Sequence, residues 1–402
     1  MEKVKTIQYD IPYTYENSSN PWLMGSKDSK IKDKRIITIN GNKITSEYMW
    51  SLNTEERNKL LKDVFEYYRD KGFPAETYDD KFLIDSFKKL EKTDQYKVID
   101  ANGYVSNFGQ LCLPVCRHFC ADKFWKASSE SMSSIEDVFY NDDLFIKVLK
   151  NRMGWNVTTE GGEVRPYMFT LSDSMIRCGI RNSGYGYGVS NFRPIIAKYI
   201  YNKYLAGEIS PTVYDFSAGW GARCLAAMSL RYNYIGVDPL TSDNINDMIK
   251  FYKNSKELYI PGSHICYNVC SQDEVLYELL PDNIDLAFSC PPYFNLEVYS
   301  KDATQSYNQY SNYNDWLEYY WRPTIKICHN KLKDNGKLVF IIKDRYGKLD
   351  LKEGMEKIIF EEGFEFVESL QYKTSVNHLS NKVNTGRNIK NNEYILTYAK
   401  LH

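Results

Sequence analysis

From about residue 190 onward, short apolar segments alternate with amphipathic ones, and this alternation constrains the fold more than any other feature of the 402-residue chain. Seven segments have the length and residue types of strands: 212–216, 234–237, 264–269, 284–288, 337–342, 364–372 and 393–398. Four have helical spacing: 221–230, 243–256, 313–330 and 351–361. The alternation predicts an α/β fold, a mainly parallel sheet covered on both faces. The last two strands follow each other without a helix, which predicts an antiparallel hairpin.

The first 189 residues follow a different pattern. Residues 54–68 have apolar positions at helical spacing, with Thr54 as the expected cap, and the segments after them are mixed and mostly helical. Residues 1–45 are polar and weakly patterned. We therefore predict two domains, a mostly helical N-terminal region over 1–189 and an α/β domain over 190–402.

Charge and cysteine content restrict the environment and the partners. The formal net charge is −1, so nucleic acid could be bound only by a local basic surface. No segment has the roughly 18 consecutive apolar residues of a membrane helix, and the first residues lack the apolar region of a signal peptide. Nine cysteines without a framework spacing indicate reduced thiols. We expect a cytoplasmic protein with no membrane partner.

A glycine turn, Asp215-Phe-Ser-Ala-Gly-Trp-Gly221, follows the first strand and precedes a helix. Its glycines let the backbone approach a ligand, and the helix N-terminus offers free N–H groups. Asp238 ends the second strand about twenty residues later, where an acid commonly accepts hydrogen bonds from ribose hydroxyls. Ser271, after the third strand, could reach an adenine ring or cap a helix. The turn lacks the third glycine of a dinucleotide fingerprint and the Gly-Lys-Ser/Thr of a phosphate loop, so we predict a nucleoside cofactor.

Residues 285–294, Asp-Leu-Ala-Phe-Ser-Cys-Pro-Pro-Tyr-Phe, form the most specific segment of the chain. An apolar run that ends in two prolines and two aromatic rings predicts a buried strand that stops at a rigid corner. Such a corner can hold a planar base on a ring face while carbonyls and a polar side chain meet the edge of the base.

In this order, the Gly-Trp-Gly turn, the Gly236-Val-Asp238 strand end and the Pro-Pro-Tyr corner resemble those of class I S-adenosylmethionine-dependent methyltransferases. The resemblance is to the phage and bacterial amino-methyltransferases that modify N6 of adenine or N4 of cytosine, chiefly in DNA. It covers about residues 190–402 and implies a Rossmann-like, seven-stranded, mainly parallel sheet. It also implies S-adenosylmethionine as the cofactor and a flipped base as the substrate.

The resemblance implies roles for single residues. The expected cofactor contacts are Phe192, Asp215, Ser217, Gly219, Gly221, Asp238 and Ser271. Tyr293 would stack on the flipped base, and Cys290 with Pro291 and Pro292 would receive its exocyclic amine. Hydrogen bonds from the amine to a side-chain acceptor and a proline carbonyl would expose the nitrogen lone pair for in-line transfer. This chemistry requires no metal.

One residue departs from the family pattern. The family has Asp, Asn or Ser directly before the two prolines, whereas this chain has Cys290 there, preceded by Ser289. A thiol is a weak acceptor. Three alternatives follow: Cys290 suffices with the Pro291 carbonyl, Ser289 takes the role, or the site is weakened. A fourth alternative is that Cys290 acts as the nucleophile for C5 methylation of a pyrimidine. It is disfavoured, because that chemistry usually shows a cysteine directly after a proline, whereas Cys290 precedes two prolines.

Two further groups of residues bear on partners. Lys373, Lys382, Arg387 and Lys390 lie in or beside a stretch, 374–392, that contains no acid. We predict that they contact phosphates, with a solvated hairpin as the alternative. Cys112, Cys116 and Cys120 recur every four residues, which is typical of a buried helix face rather than of a zinc site, and we expect no metal.

These observations support three hypotheses. The first is a DNA methyltransferase that acts on adenine N6 or cytosine N4, with residues 1–189 supplying target recognition, homodimer contacts or both. The second is methylation of RNA by the same corner. The third is a catalytically silent subunit that binds cofactor or nucleic acid and works with a partner.

Overall fold

The computed structural model describes residues 9–12, 35–106, 109–129, 131–154, 169–295, 299–343, 345–346, 349–373 and 392–401. Contacts group the chain into two compact units. One comprises residues 1–75 and 125–189, and the other comprises residues 76–124 and 190–402. By their contacts, residues 76–124 thus group with the α/β part. The predicted domain boundary at residue 190 stays a prediction.

The described residues form fifteen strands, and the longest of these lie in the second unit. The strands are β1 Tyr9–Pro12, β2 Arg35–Ile39, β3 Asn42–Lys43, β4 Val105–Ser106, β5 Ser133–Ser134, β6 Gly186–Tyr187, β7 Thr212–Asp215, β8 Asn233–Val237, β9 His264–Tyr267, β10 Ile284–Ser289, β11 Leu332–Lys343, β12 Arg345–Tyr346, β13 Leu349–Asp350, β14 Phe364–Lys373 and β15 Asn392–Lys400.

The α-helices are α1 Ser46–Ser51, α2 Thr54–Lys71, α3 Asp80–Lys92, α4 Leu113–Phe119, α5 Ala121–Phe124, α6 Ile135–Tyr140, α7 Asp142–Arg152, α8 Asp173–Asn182, α9 Pro194–Leu205, α10 Ala222–Leu230, α11 Ser242–Asn254, α12 Leu276–Leu279, α13 Ser306–Gln309, α14 Tyr313–Trp316, α15 Arg322–Lys331 and α16 Leu351–Glu361. A 3₁₀ turn spans Gln95–Val98 and a π-helical turn spans Leu317–Trp321. No helix in the described ranges is long and apolar enough to cross a membrane.

The first unit packs α1, α2, α6, α7 and α8 with the small sheet β1–β2–β3. The cap of α2 is Asn53 rather than Thr54, because Asn53 and Glu56 form a reciprocal capping box across the first turn. Its buried aromatic face includes Tyr68, which meets Phe139 edge-on at 6.2 Å. The predicted helical character of this region is therefore correct for its described part, with the cap shifted by one residue.

The second unit is built on a sheet with the strand order β4–β14–β15–β11–β10–β7–β8–β9 within the described residues. All pairs are parallel except those of β15, which runs antiparallel to both β11 and β14. The seven predicted strands are confirmed, and the last two pair antiparallel as expected. The eighth strand, β4, was not predicted, because two residues carry no periodicity and their pairing with β14 is a tertiary contact.

Both faces of the centre of this sheet are buried. Consecutive residues of β10, from Leu286 to Phe288, are all fully buried although their side chains point alternately to opposite faces. Phe288 contacts Tyr201 of α9 edge-on at 5.7 Å. Ala287 belongs instead to the cluster that contains Trp316 and Trp321. The predicted mainly parallel, doubly covered α/β fold is therefore confirmed.

The strand order indicates where a ligand crevice is expected. The chain runs from β7 to β8 and β9 on one side and then crosses to β10 on the other, so the order reverses between β7 and β10. In open α/β sheets, ligands bind outside the carboxyl ends of the strands at such a reversal. The glycine turn follows β7 and the proline corner follows β10, so both predicted motifs lie at this point.

Candidate active site

A hydrogen bond joins the two strands that flank the reversal. The Ser289 hydroxyl, at the end of β10, donates to Asp215 Oδ1 at the end of β7 over 2.8 Å. It also lies 3.3 Å from the Ser217 carbonyl oxygen. Both Ser289 and Asp215 are fully buried. A buried hydrogen bond thus connects the proline corner to the glycine turn.

Asp215 is the centre of a larger buried network. Its Oδ2 accepts from Arg223 Nε and from the Tyr234 hydroxyl, each at 2.8 Å. Burial opposes the charge of Arg223, but Asp215 outweighs it, and the pKa of Arg223 lies above its usual value. Arg223 also donates to the Ser217 carbonyl. Because the Asp215 carboxylate already accepts from these groups, it anchors the turn, and its predicted contact with the cofactor stays a prediction.

The glycine turn requires both of its glycines. Gly219 and Gly221 have φ values of +57° and +79°, in the region that favours glycine. A Cβ on Gly221 would lie 2.9 Å from Met248 Cε of α11, whereas the space around a Cβ on Gly219 is open, with its nearest neighbour at 3.8 Å. Trp220, between them, packs edge-on against Phe124 at 5.0 Å. The Gly219 side of the turn is therefore open, and the Gly221 side packs against the protein.

Asp238 holds the turn from the end of β8. Its carboxylate accepts N–H groups of Gly219, Leu240 and Thr241, each at 2.9 Å. Burial raises its pKa, and these backbone N–H bonds act in the opposite direction. The residue is partly exposed, and a carboxylate has about four acceptor positions. Acceptor capacity therefore remains for a ribose hydroxyl, as the fit of a nucleoside requires.

Phe192 and Ser271, two other predicted cofactor contacts, differ from each other in exposure. Phe192 is partly exposed, meets Phe288 edge-on at 6.0 Å and lies under the Arg223 guanidinium at 5.5 Å. Ser271 is buried, and the Thr324 hydroxyl donates to it over 3.3 Å. Ser271 does not cap the helix α12. Its contact with an adenine ring stays a prediction.

The proline corner ends in an unusual backbone conformation. Phe294 has a φ of +54°, and its buried ring meets Tyr313 at 5.8 Å and Trp316 at 6.2 Å. A left-handed conformation costs a non-glycine residue about 1–2 kcal/mol, which burial of a phenyl ring offsets. This packing holds the preceding residues, Cys290 to Tyr293, at the sheet edge.

Within the corner, the Cys290 Sγ lies 3.7 Å from the Tyr293 hydroxyl. Since the Ser289 side chain is fully buried and its hydroxyl is directed at Asp215, it is not presented to a base. The alternative in which Ser289 receives the amine therefore loses support. The Cys290 thiol and the Pro291 carbonyl remain as the acceptors of the corner itself.

On the other side of the corner lie residues of β11, β14 and β15. Lys343 Nζ is 5.9 Å from the Tyr293 ring centroid and 3.8 Å from Glu393 Oε1. Lys373, predicted to bind phosphate, pairs with Asp100 at 2.8 Å and lies 3.9 Å from the Tyr104 ring centroid. Lys382, Arg387 and Lys390 lie outside the described residues.

Sequence reasoning missed Arg223, Tyr234, Tyr320 and Glu393. Tyr320 is buried, its pKa is raised to about 12 by burial, and its hydroxyl meets Ser271 and Ser217. An arginine in an otherwise apolar helix, α10, was the one available signal for Arg223. In the described part of the chain, no group of His, Cys, Asp and Glu could hold a metal.

The segment after the corner folds over the end of β9. The Cys270 thiol donates to the Thr304 carbonyl at 3.5 Å, and Gln272 donates to Gln309 at 3.0 Å. Tyr299 meets Trp220 of the glycine turn at 6.0 Å. This segment therefore lies against the end of β9 and the glycine turn.

Comparison with solved structures finds methyltransferases. TrmN from Thermus thermophilus has 12% identity and a TM-score of 0.34, over 52% of this chain and 49% of that one, so the chain spans about half of its length. The TehB-like SAM-dependent methyltransferase from Corynebacterium glutamicum has 10% identity and a TM-score of 0.32, over 56% and 95%. The N-methyltransferase NodS from Bradyrhizobium japonicum has 13% identity and a TM-score of 0.32, over 51% of this chain and 94% of that one. At this level of similarity, the fold rests on the strand order described above.

No curated protein matches the chain. The model of the N6/N4 methyltransferase family, described as DNA methylase, matches residues 284–401, which begin at β10 and include the corner. DNA methylases of this family use S-adenosylmethionine, and the glycine turn with Asp238 fits such a nucleoside. Residues 284–401, less than a third of the chain, are thus similar to the N6/N4 DNA methylase family.

Proposed function

We propose that the protein methylates an exocyclic amine, adenine N6 or cytosine N4, of a base flipped out of DNA. The observation that carries the proposal is the Ser289–Asp215 hydrogen bond, which joins the proline corner to the glycine turn at the sheet reversal. A base on Tyr293 and a cofactor on Gly219 would then lie on neighbouring strand ends. DNA rather than RNA is favoured by the family description of residues 284–401.

The residues of the chain perform holding and orienting tasks. The Gly219 side of the turn and the Asp238 carboxylate would bind the cofactor, and bound S-adenosylmethionine supplies an activated methyl group. Tyr293 would stack on the flipped base, a contact worth about 1–3 kcal/mol for one base. Cys290 and the Pro291 carbonyl would accept N–H groups of the amine. The segment that overhangs β9 would exclude water.

A methyl-transfer assay tests the proposal. Tritiated S-adenosylmethionine is incubated with duplex DNA, single-stranded DNA and RNA, and the products are hydrolysed and separated as nucleosides. We expect N6-methyladenine or N4-methylcytosine from DNA. Tyr293→Ala should lower the incorporated label by about tenfold to a hundredfold, the effect of one lost stacking contact. Tyr259→Ala, which changes an exposed tyrosine before β9, should retain the label. Label in RNA alone would replace the proposal with the RNA alternative.

The silent-subunit alternative is favoured by one observation, the thiol at Cys290. Cys290→Asp supplies the acceptor that the family carries at this position. If the natural protein is active, the variant should change the transfer rate only modestly. A wild-type protein that binds S-adenosylmethionine but transfers no label, together with a Cys290→Asp variant that does, would establish the silent subunit.

A further inference from the structure

We propose that Glu393 contacts the exocyclic amine of the target base and supplies the charged acceptor that the corner lacks. The inference rests on the proposed function, because it concerns the base that Tyr293 would hold. It assigns a substrate-contacting residue on β15, a strand outside the corner and the glycine turn.

The first step is the shortage of acceptors at the corner. Ser289 is buried, and its hydroxyl donates to Asp215. Cys290 has a thiol, a weak acceptor, beside the Tyr293 hydroxyl. Of the corner groups that the resemblance assigns to the amine, the Pro291 carbonyl is then the strong acceptor, while an amine has two N–H groups and can use two acceptors.

The second step is the strand register. Glu393 lies directly opposite Lys343 of β11 and opposite Tyr372 of β14. Residues that are directly opposite share one face of a sheet, so the three side chains form a single row. Because β10 and β11 run parallel, this row lies at the same edge of the sheet as Cys290.

The third step is the contact between this row and the corner. Lys343 Nζ is 3.8 Å from Glu393 Oε1 and 5.9 Å from the Tyr293 ring centroid. The Glu393 side chain is 14% exposed and that of Lys343 is 27% exposed. The carboxylate is therefore largely shielded from water, but part of it remains accessible to a ligand. The pKa of Tyr372 is raised by burial, then by Glu393 and also by Cys290. Glu393 and Cys290 therefore lie within electrostatic reach of the same hydroxyl.

The chemistry of a carboxylate determines which bases it favours. It has about four acceptor positions and no donor, so it can accept from an amine while it also pairs with Lys343. Acidic side chains accept from the N4 amine of cytosine in nucleic-acid recognition. A base with a carbonyl at this position, such as thymine, would direct an oxygen at the carboxylate and be repelled. Glu393 thus selects amino bases over keto bases.

Methyl-transfer kinetics test the role. We expect Glu393→Ala to lower kcat/KM by roughly tenfold to a hundredfold, the range of one lost base contact, with the dissociation constant for S-adenosylmethionine unchanged. Glu393→Gln keeps a neutral acceptor, so its kcat/KM should lie between those of Glu393→Ala and the wild type. Cys290→Asp in the Glu393→Ala background should recover activity. Glu365→Ala, an exposed carboxylate at the other end of β14, is the matched control.

A binding experiment separates this inference from the proposed function. Oligonucleotides that contain deoxyadenosine or deoxycytidine, or the same base without its amine, are titrated into the protein with S-adenosylhomocysteine present. We expect the wild type to prefer the amine and Glu393→Ala to lose that preference, even if no methyl transfer is detected. An equal preference in both proteins, or a Glu393→Ala variant with wild-type kcat/KM, would overturn the inference.

Discussion

The Arg223 guanidinium and the Asp215 carboxylate form an ion pair of 2.8 Å whose side chains are 3% and 0% exposed. A buried ion pair contributes little net stability compared with apolar residues, but the loss of one partner leaves a charge without compensation. Asp215 also accepts from Ser289 and Tyr234, so a disturbance of the pair reaches both the corner and β8. At the scale of residues, this network couples stability to the geometry of the site.

We therefore expect Arg223→Met to lower the free energy of unfolding by about 3–5 kcal/mol, measured by urea denaturation. Arg223→Met combined with Asp215→Asn should recover part of this loss, because no charge is then left buried. Lys357→Met, which breaks an exposed pair with Glu361, should cost less than about 1 kcal/mol. An Arg223→Met protein as stable as the wild type would contradict the role given to the pair.

At the scale of elements, the glycine turn has two sides with different neighbours. The open space beside Gly219 faces the predicted cofactor, and Gly221 faces Met248 and Ile245 of α11. The two positive φ values make each alanine substitution unfavourable, but the further consequences should differ. One side of the turn is therefore open and available for the predicted ligand, and the other packs against α11.

Gly219→Ala should weaken binding of S-adenosylmethionine by about tenfold or more, because its Cβ would occupy the space of the ligand, at a stability cost of about 1–2 kcal/mol. Gly221→Ala should lower the free energy of unfolding by about 1–3 kcal/mol beyond the cost of its positive φ, since its Cβ meets α11. Calorimetric titration and urea denaturation measure the two quantities. Equal effects of both variants on affinity would show that the turn does not present its Gly219 side to the cofactor.

The helix predicted over 313–330 illustrates what local pattern conveys about an element. Its extent is nearly right, but the structure divides it into α14, a π-helical turn and α15. The turn sets the register at which Trp316 and Trp321 lie parallel in the core, with ring centroids 6.3 Å apart. Helical periodicity indicated the segment, whereas the extra residue in the turn reflects packing against α16 and β11.

At the scale of the whole molecule, histidine protonation links pH to stability. Burial, reinforced by Lys253, lowers the pKa of His264 from 6.5 to about 4. The unfolded chain therefore takes up a proton as the pH falls below about 6.5, while the folded protein does not until about pH 4, so acidification favours unfolding. Burial also lowers the pKa values of His118 and His329, which act in the same direction.

We expect the free energy of unfolding to decrease between pH 7 and pH 5, with His264 contributing on the order of 1–2 kcal/mol. His264→Gln, which cannot take up a proton, should show a smaller decrease over the same range in urea denaturation. An identical pH dependence in the two proteins would mean that His264 is as accessible to protons in the folded state as in the unfolded one.

The sequence by itself determined the order of strands and helices after residue 190, the glycine turn, Asp238 and the proline corner. These are local signals, because apolar period, glycine and proline act on their own neighbours in the chain. The tertiary structure alone decided that Ser289 turns inward to Asp215, that Arg223 neutralises it, and that β4 adds an edge strand. It also placed Glu393 opposite Lys343 near Tyr293. Such contacts depend on strand register and burial between distant residues, which no local pattern encodes.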